Sequence, residues 1–174
     1  RIFEKLVEKK IKRMVFASSE TVYGANQAFY GNRAINEKDF CGIDQHHFTY
    51  GVMKLLNEFM AEKYIKKFNC SIAYTRPSIV FGAEDQFFNR FATMAKLSPL
   101  IPLVGGETQF QPVYVDDIAK AAVKGVLGEA KRGVYELGGP QAASFKELII
   151  MLMGIIRRKR AIVNIPFFAA SIQG

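Results

Sequence analysis

The sequence predicts an α/β fold built on a doubly wound parallel sheet. Short apolar runs, typical of strands that are buried on both faces, recur along the chain. Longer segments with apolar residues at helical spacing lie between these runs. An alternation of strands and helices places the strands side by side in parallel and the helices on both faces of the sheet.

The chain begins with a predicted helix, a predicted strand and a long loop. Residues 2–10 follow an amphipathic helical pattern, and residues 13–17 (RMVFA) form a compact apolar run that is typical of a buried strand. The polar, glycine-containing stretch 19–47 is too long for a simple connection, and loops of this length are often functional. We therefore expect the first strand to lead into a functional loop.

The clearest predicted helix covers residues 48–68, and a buried strand over 71–75 (SIAYT) follows it. Arg76-Pro77 is expected to end that strand, because proline cannot continue a central ladder. Met60, Tyr64 and Phe68 are further apolar positions of the helix. Its expected core face consists of Val52, Leu55, Leu56 and Phe59.

The rest of the chain continues the alternation. The predicted elements are a helix over 86–97, a short strand over 112–115, a helix over 118–127, a strand over 133–137, a helix after residue 144 and a last strand over 161–165. Asp116 and Asp117 suit the N-cap of one of these helices. Ser144, with Glu147 three residues later, predicts a capping box for the next one.

Composition and charge exclude several classes of protein. Hydrophobic residues make up 49% of the 174 residues and charged residues 23%, which is ordinary for a globular domain. No apolar run approaches the ~18 residues that a membrane-spanning helix needs. The net charge of +8 comes mainly from clusters at 5–13, 63–67 and 157–160. We interpret these clusters as solvated helix faces and ends, so no nucleic-acid partner is expected.

Cysteine and histidine positions give no sign of a metal site. Cys41 and Cys70 lack metal-ligand spacing, and they indicate reduced thiols and a reducing compartment, so cytoplasmic localisation is expected. His46 and His47 have no partner carboxylate or cysteine at ligand spacing.

A tyrosine and a lysine one helical turn apart are the first candidates for chemistry. Tyr50 and Lys54 lie on one face of the predicted helix, roughly opposite its expected core face, so they project into solvent, an interface or a cleft. A lysine ammonium beside a phenol stabilises the phenolate and makes the tyrosine a usable acid or base. Ser18 and Ser19 follow the strand 13–17, and sites in open α/β sheets gather at the carboxyl ends of strands.

Five segments, in this order, resemble the landmarks of the extended short-chain dehydrogenases, the NAD-dependent epimerase/dehydratase family. They are MVFASSETVYG, YGVMK, TRPSIVFG, FQPVYVDDIAKAAVKGVL and GVYELGG. The resemblance covers most of residues 11–140, and an ordered set is far more specific than any single motif. It implies a partial Rossmann-type sheet, with residues 1–82 in the NAD(P)-binding domain. Residues 83–174 would form a small substrate-binding region with returning sheet elements.

The resemblance also implies residue roles. The implied catalytic residues are Ser19, Tyr50 and Lys54, with Tyr50 as acid/base. The implied contacts to NAD or NADP are Ala17, Ser18, Tyr50, Lys54, Pro77, Ile79 and Val80. The implied contacts to a nucleotide-sugar substrate are Ser19, Glu20, Thr21, Gln86, Asn89, Arg90 and Gln111. Hydride transfer and a homodimer are expected on the same basis.

Two departures from the family pattern limit these expectations. The glycine-rich phosphate loop, G-x-x-G-x-x-G, does not occur in the chain, so we expect the pyrophosphate site to lie upstream. The 174 residues alone should then bind NAD weakly and be inactive. The 4,6-dehydratases carry Thr-Asp-Glu where this chain has Ser19, Glu20 and Thr21, which favours an epimerase or reductase.

Part of the chain resembles a second branch of the same fold. The stretches RPSIVFGAEDQFFNRFATMAKLSPLIPLVGG, FQPVYVDDIAKA, YELGGP and RRKRAIVNIPF are similar to the 39-kDa NAD(P)H-binding accessory subunit of respiratory complex I. This branch implies a nucleotide binder without turnover, in the mitochondrial matrix or at the inner face of a bacterial membrane. Because the branch often lacks the Tyr–Lys pair, the presence of Tyr50 and Lys54 favours the enzyme.

Overall fold

A computed structural model of the chain describes residues 2–24, 35, 37–39, 41 and 49–166. The helices of these residues are α1 (Ile2–Glu8), α2 (Thr49–Phe68), α3 (Gln86–Leu97), α4 (Val115–Leu127) and α5 (Phe145–Ile155). A 3-10 turn covers Glu20–Tyr23. The strands are β1 (Arg13–Ala17), β2 (Ser71–Pro77), β3 (Val80–Phe81), β4 (Leu100–Val104), β5 (Gln109–Phe110), β6 (Val113–Tyr114), β7 (Gly133–Leu137), β8 (Ala143–Ser144) and β9 (Ala161–Ile165).

The chain divides into two compact units. Unit 1 comprises Arg1–Ser78 and Asp116–Leu137, and unit 2 comprises Ile79–Val115 and Gly138–Gly174. The domain boundary expected after residue 82 stays a prediction, and the first division between the two units falls after Ser78. The later elements α4 and β7 return to unit 1.

Unit 1 is built on a parallel three-stranded sheet in the order β1-β2-β7. Val15 pairs with Ala73 across the first ladder, and Thr75 pairs with Tyr135 across the second. The parallel strands and the intervening helices confirm the predicted α/β class. Because all three strands run in the same direction, their carboxyl ends lie at one edge of the sheet.

Helices cover both faces of this sheet, as the alternation of side chains along a strand requires. One face packs against α1 and α2 in a cluster of buried residues: Phe3, Leu6, Ala61, Ile65, Ile72 and Tyr74. On the other face α4 approaches β1 closely. A Cβ built on Gly125 would lie 2.6 Å from Cγ2 of Val15, so a glycine is needed at this point of α4.

The described part of unit 2 contains three pairs of strands. β3 pairs with β6 and β4 pairs with β9, both in parallel, and β5 pairs with β8 in the antiparallel sense. Its core lies where α3, α5 and β4 meet, and its buried residues are Ala95, Ile101, Leu103, Ile149 and Met153. A Cβ on Gly139 would lie 1.9 Å from the carbonyl oxygen of Pro112, so only glycine fits where the chain leaves β7.

Most predicted elements are confirmed. β4 is not predicted, β2 continues through Pro77 instead of ending at residue 75, and two further predictions are wrong. β1, α3, β7 and β9 have the predicted bounds, and the Ser144–Glu147 capping box is present. Helix α4 begins at Val115 rather than residue 118, so Asp116 and Asp117 occupy its first turn and are not its N-cap. They still complement the positive end of the helix dipole.

The second error concerns the buried face of α2. The sequence predicts Leu56 and Phe59 in the core, but they are 40% and 49% exposed. The residues that α2 buries are Gly51, Leu55, Glu58, Ala61 and Ile65. Three of these five residues are a carboxylate and two small residues, so the positions of large apolar side chains do not reveal the whole face. Tyr50, Lys54 and Glu58 follow one another at intervals of four residues and lie along one side of the helix. Because Glu58 is buried, the Tyr50 and Lys54 positions are next to the buried face and not opposite it.

Candidate active site

The candidate site lies at the carboxyl edge of the sheet in unit 1. β1 ends at Ala17, and β2 and β7 end at Pro77 and Leu137. Ser18 and Ser19 follow β1 directly. Ser18 is 4% exposed, and its backbone N–H donates to the carbonyl oxygen of Thr75 at 2.9 Å. This bond holds the chain against β2 as it leaves the sheet.

Lys54 connects α2 to the end of β1. Its Nζ donates a hydrogen bond to the carbonyl oxygen of Ala17 at 2.6 Å. The same nitrogen lies 5.5 Å from the ring centroid of Tyr50 and 5.7 Å from that of Phe16. Tyr50 is 57% exposed, so its phenol is open to solvent beside a fixed cation. The structure therefore brings the predicted Tyr–Lys pair to the end of the first strand.

Ser19 begins the 3-10 turn that follows β1. It is the N-cap of the turn, and its Oγ accepts a hydrogen bond from the backbone N–H of Thr21 at 3.3 Å. The turn packs on α2 through a cluster of Val22, Tyr23 and Leu55. Ser19 thus lies two residues after the carbonyl that Lys54 contacts, on a turn held against the helix that carries Tyr50.

A network of polar side chains, the buried polar network, lies at the same edge. Its members Ser18, Tyr23, Glu58 and Arg76 are buried, and Glu136 is half-buried. Arg76 donates to both carboxylate oxygens of Glu58, from Nε at 3.2 Å and from Nη2 at 2.6 Å. Ser18 Oγ donates to the same carboxylate. Arg76 Nη1 donates to the Tyr23 hydroxyl at 2.6 Å, and that hydroxyl donates to Glu136 at 2.6 Å. Burial and the bond to Glu136 raise the pKa of Tyr23, which therefore stays protonated.

This network is not among the sequence-based predictions. Arg76 is predicted only to end a strand, and no role is predicted for Glu58, Tyr23 or Glu136. Two signals are present in the sequence: an arginine as the one charged residue of the strand, and a glutamate one turn beyond Lys54. Charged groups in buried elements are paired because an isolated buried charge is costly.

The other predicted site residues fall into two sets. Pro77 ends β2 in unit 1, and Glu20 and Thr21 form the first part of the 3-10 turn. The remaining residues lie in unit 2: Ile79, Val80, Gln86, Asn89, Arg90 and Gln111. Gln86, Asn89 and Arg90 are exposed in the first turns of α3. Their roles, and those of all the predicted site residues, stay predictions.

Two of these side chains already have partners in their own unit. The Asn89 amide donates to the carbonyl oxygens of Ala83 and Asp85 at 3.1 and 2.7 Å. The Gln111 amide donates to the carbonyl oxygen of Gly139 at 2.7 Å. The two bonds of Asn89 use its amide N–H groups, so its amide oxygen is the atom of that side chain that a ligand would most readily reach.

Among the described residues, no group of three or more His, Cys, Asp or Glu side chains could hold a metal ion, and His46 and His47 lie outside those residues. None of the helices in the described ranges is long and apolar enough to cross a bilayer.

A parallel sheet with helices on both faces and polar groups at its carboxyl edge makes this chain an α/β protein of the Rossmann type. The chain belongs to the NAD dependent epimerase/dehydratase family, whose sequence model matches residues 1–138. This match confirms the family that the five ordered segments predicted.

Relatives come from both predicted branches. The mitochondrial NADH dehydrogenase (ubiquinone) 1 alpha subcomplex subunit 9 of Arabidopsis thaliana is 38% identical over 95 residues, which are 53% of this chain and 24% of that protein. The uncharacterized UDP-glucose epimerase YtcB of Bacillus subtilis is 26% identical over 166 residues, which are 91% of this chain and 49% of that protein. The chain therefore spans half or less of the length of these relatives.

Solved structures agree on the fold. A dTDP-glucose 4,6-dehydratase from Bacillus anthracis, solved in complex with NAD, superimposes with a TM-score of 0.81 and 19% identity. The alignment covers 95% of this chain and 53% of the dehydratase. At that identity the likeness shows the fold alone.

Glu20 allows a test of the electrostatics at this edge. Burial raises the pKa of its carboxyl group, a hydrogen bond from Ser78 lowers it, and the charge of Glu136 raises it, with a net rise. Because the folded-state pKa lies above the unfolded value, the carboxyl favours folding most at low pH. That contribution is lost as the pH rises through the folded-state pKa. We expect Glu20→Gln to be more stable than the unchanged protein at pH 8 and to lose this advantage at pH 4.

Thermal unfolding at the two pH values measures this difference. The exposed Glu107→Gln is the control, and it should change the melting temperature little at either pH. An advantage of Glu20→Gln that is equally large at pH 4 and pH 8 would contradict the prediction.

Proposed function

We propose that the protein is an NAD(P)-dependent oxidoreductase or isomerase of the nucleotide-sugar epimerase type, with Tyr50 as its acid/base. The observation that carries the proposal is the position of Lys54. Its ammonium group is bonded to the end of β1 at 2.6 Å and lies 5.5 Å from the ring of an exposed tyrosine. This arrangement puts an exposed phenol beside an ammonium group at the carboxyl edge of the sheet, and a tyrosine positioned next to a substrate hydroxyl exchanges a proton with it.

The residues present fit the nicotinamide end of NAD. An ammonium has three N–H donors, and the bond to Ala17 uses one, which leaves Lys54 donors for ribose hydroxyls. Ala17, Ser18 and Pro77 line the strand ends on which the ring would lie, with Ile79 and Val80 following in the chain. When bound, NAD would supply the hydride acceptor and donor.

In this proposal the protein side chains hold and move protons. Tyr50 takes the proton of a sugar hydroxyl and later returns one. Ser19 is fixed by its bond from the Thr21 N–H, and it directs its hydroxyl proton to the same sugar oxygen. The proposed contacts to the nucleotide sugar are Glu20, Thr21, Gln86, Asn89, Arg90 and Gln111. Thr21 stands where dehydratases carry a glutamate, which favours epimerisation or reduction.

The complete polypeptide that contains these residues is the material for the test. It should interconvert the epimers of at least one UDP- or dTDP-sugar with bound NAD and without net formation of NADH. Product analysis by NMR measures the interconversion, and parallel assays with NADP decide between the cofactors. If the cofactor binds but no sugar nucleotide is changed, the enzymatic proposal is wrong.

A second candidate function is that of an accessory subunit of complex I that binds NAD(P)H without turnover. The observation that favours it is the 38% identity to the Arabidopsis subunit. Under this candidate the protein would be found in the mitochondrial matrix or at the inner face of a bacterial membrane, and it would co-migrate with the respiratory complex on native gels. Under the enzyme proposal it is cytoplasmic and migrates independently of that complex.

A homodimer is the proposed oligomeric state, and the outer face of α2 is a suitable surface. It exposes Met53, Leu56, Phe59 and Met60, which are between 40% and 54% exposed. Leu56→Lys should shift the complete protein from dimer to monomer in light scattering, because a charge would be buried in the contact. Leu97→Lys, at an apolar side chain that is 83% exposed in unit 2, is the matched control and should leave the dimer intact. A dimer that survives Leu56→Lys would argue against this surface.

A further inference from the structure

The buried polar network joins every element that carries a proposed catalytic residue. Ser18 follows β1, Tyr23 ends the 3-10 turn, Glu58 lies on α2, Arg76 on β2 and Glu136 on β7. All five residues belong to unit 1. Ser18 also lines the proposed position of the nicotinamide ring. The other four residues are not needed to touch a sugar or a nicotinamide for the chemistry proposed above, so their function has to be sought in what they hold in place.

The network anchors both ends of the segment that contains Ser19. At one end, Ser18 donates its hydroxyl to Glu58 and its backbone N–H to Thr75. At the other end, the Tyr23 hydroxyl lies between Arg76 and Glu136, with both contacts at 2.6 Å. The Tyr23 ring also lies 4.7 Å from the Arg76 guanidinium carbon. Ser19 can therefore move little relative to β2 while these bonds persist.

The same network sets the position of α2. Glu58 lies one turn beyond Lys54 and two turns beyond Tyr50, on one ridge of the helix. Its carboxylate is held by two parallel bonds from Arg76, a bidentate geometry that fixes orientation as well as distance. A rotation of α2 about its axis would displace the Tyr50 ring and the Glu58 carboxylate together, so the bonds from Arg76 oppose such a rotation.

Stability alone does not explain a charged network at this place. Buried ion pairs are often no more stabilising than well-packed apolar side chains of similar volume. The hydrogen bonds of an ion pair are directional and hold the two side chains in one geometry, whereas apolar side chains can shift against each other and stay in contact. Catalysis is sensitive to such geometry, since a misplacement of about 1 Å can cost about 10²-fold in rate.

We propose that Tyr23, Glu58 and Arg76 are positioning residues that hold Ser19, Tyr50 and Lys54 in register at the edge of the sheet. This inference rests on the proposed function for its effect on catalysis, but the geometric part can be measured separately. Tyr23 is the best position for a test, because Tyr23→Phe keeps the packed ring and removes only the hydroxyl that joins Arg76 to Glu136.

The matched control is Tyr74→Phe. Tyr74 is also a buried tyrosine of unit 1, and its hydroxyl donates to a carboxylate, that of Glu62, at 3.3 Å. It faces the cluster between the sheet and α1 and α2, outside the buried polar network. The two variants therefore make the same chemical change at two places, and a general loss of stability affects both.

The experiment compares the two variants in the complete protein, well below both melting temperatures. For Tyr23→Phe we expect kcat to fall about 10–100-fold with the substrate KM little changed. We also expect faster hydrogen exchange at the backbone N–H groups of residues 18–24. Tyr74→Phe should keep the kcat of the unchanged protein and normal exchange in that segment.

The two readouts separate the two proposals. If the unchanged protein converts no sugar nucleotide, the proposed function fails, and hydrogen exchange still decides whether the network holds residues 18–24. If Tyr23→Phe matches Tyr74→Phe in exchange over that segment, the positioning role is overturned whatever the activity. Faster hydrogen exchange in Tyr23→Phe with an unchanged kcat overturns the catalytic part of the inference.

Discussion

Replacing Tyr50 by phenylalanine is expected to lower kcat on a nucleotide sugar about 10²–10⁴-fold, the range that a positioned acid/base supplies. The substitution removes the phenolic hydroxyl and leaves the ring beside Lys54. Substrate binding should change little, because the aromatic surface is retained. A fall in kcat with a nearly constant KM is therefore the expected pattern.

Folding should be unaffected by this change. Tyr50 is 57% exposed, and surface substitutions of this kind usually alter stability by less than about 0.5 kcal/mol. Tyr64→Phe is a matched control on the same helix, where the half-buried ring stacks on Phe3 at 5.3 Å. It should retain full activity. Turnover by Tyr50→Phe at the rate of the unchanged protein would show that another group is the acid/base.

Glu58→Ala is expected to destabilise the protein by about 3–5 kcal/mol, since it leaves a buried arginine without its counter-charge. The side chains of Glu58 and Arg76 are only 8% and 6% exposed, so water cannot replace the lost partner. Ser18 loses its acceptor in the same variant. A typical domain is stable by about 5–15 kcal/mol, so this loss is a large fraction of the total.

Denaturant unfolding measures this loss, and two further variants interpret it. Glu8→Ala removes a glutamate paired with Lys5, but those side chains are 53% and 68% exposed, so a change of less than about 0.5 kcal/mol is expected. The double variant Glu58→Leu with Arg76→Met removes both charges and should be far more stable than Glu58→Ala. If Glu58→Ala costs no more than Glu8→Ala, the ion pair is not buried as described.

The double variant also connects stability to the positioning role. Apolar side chains can fill the space of the ion pair, but they form no bonds to Ser18 or Tyr23. We therefore expect the double variant to fold but to have a lower kcat than the unchanged protein. A double variant that is both stable and fully active would speak against the proposed role of the network.

The elements of the fold were largely predictable because their signals are local. The type and the ends of elements such as β7 and α3 are indicated by the spacing of apolar residues and by glycine and capping residues within a few positions. β4 was missed, since its sequence LIPLV contains a proline and is as short as many loops. Its strand character comes from pairing with β9, about 60 residues further along the chain.

The candidate site was predictable in part. The spacing of Tyr50 and Lys54 and the place of Ser19 after a strand are local, and the structure puts all three at the edge where β1 ends. The partners of these residues are not local. Arg76 meets Glu58 and Tyr23 across 18 and 53 positions of sequence, and Glu136 meets Tyr23 across 113.

By itself the sequence determined the α/β class, the family and the tyrosine–lysine pair, because periodicity, spacing and motifs depend on residues that are close together in the sequence. Only the tertiary structure decided which side of α2 is buried and which charges meet beneath the site. The burial of a helix face depends on what packs against it, and a carboxylate such as that of Glu58 is stable inside the protein only because Arg76 and Ser18 are brought to it by other elements.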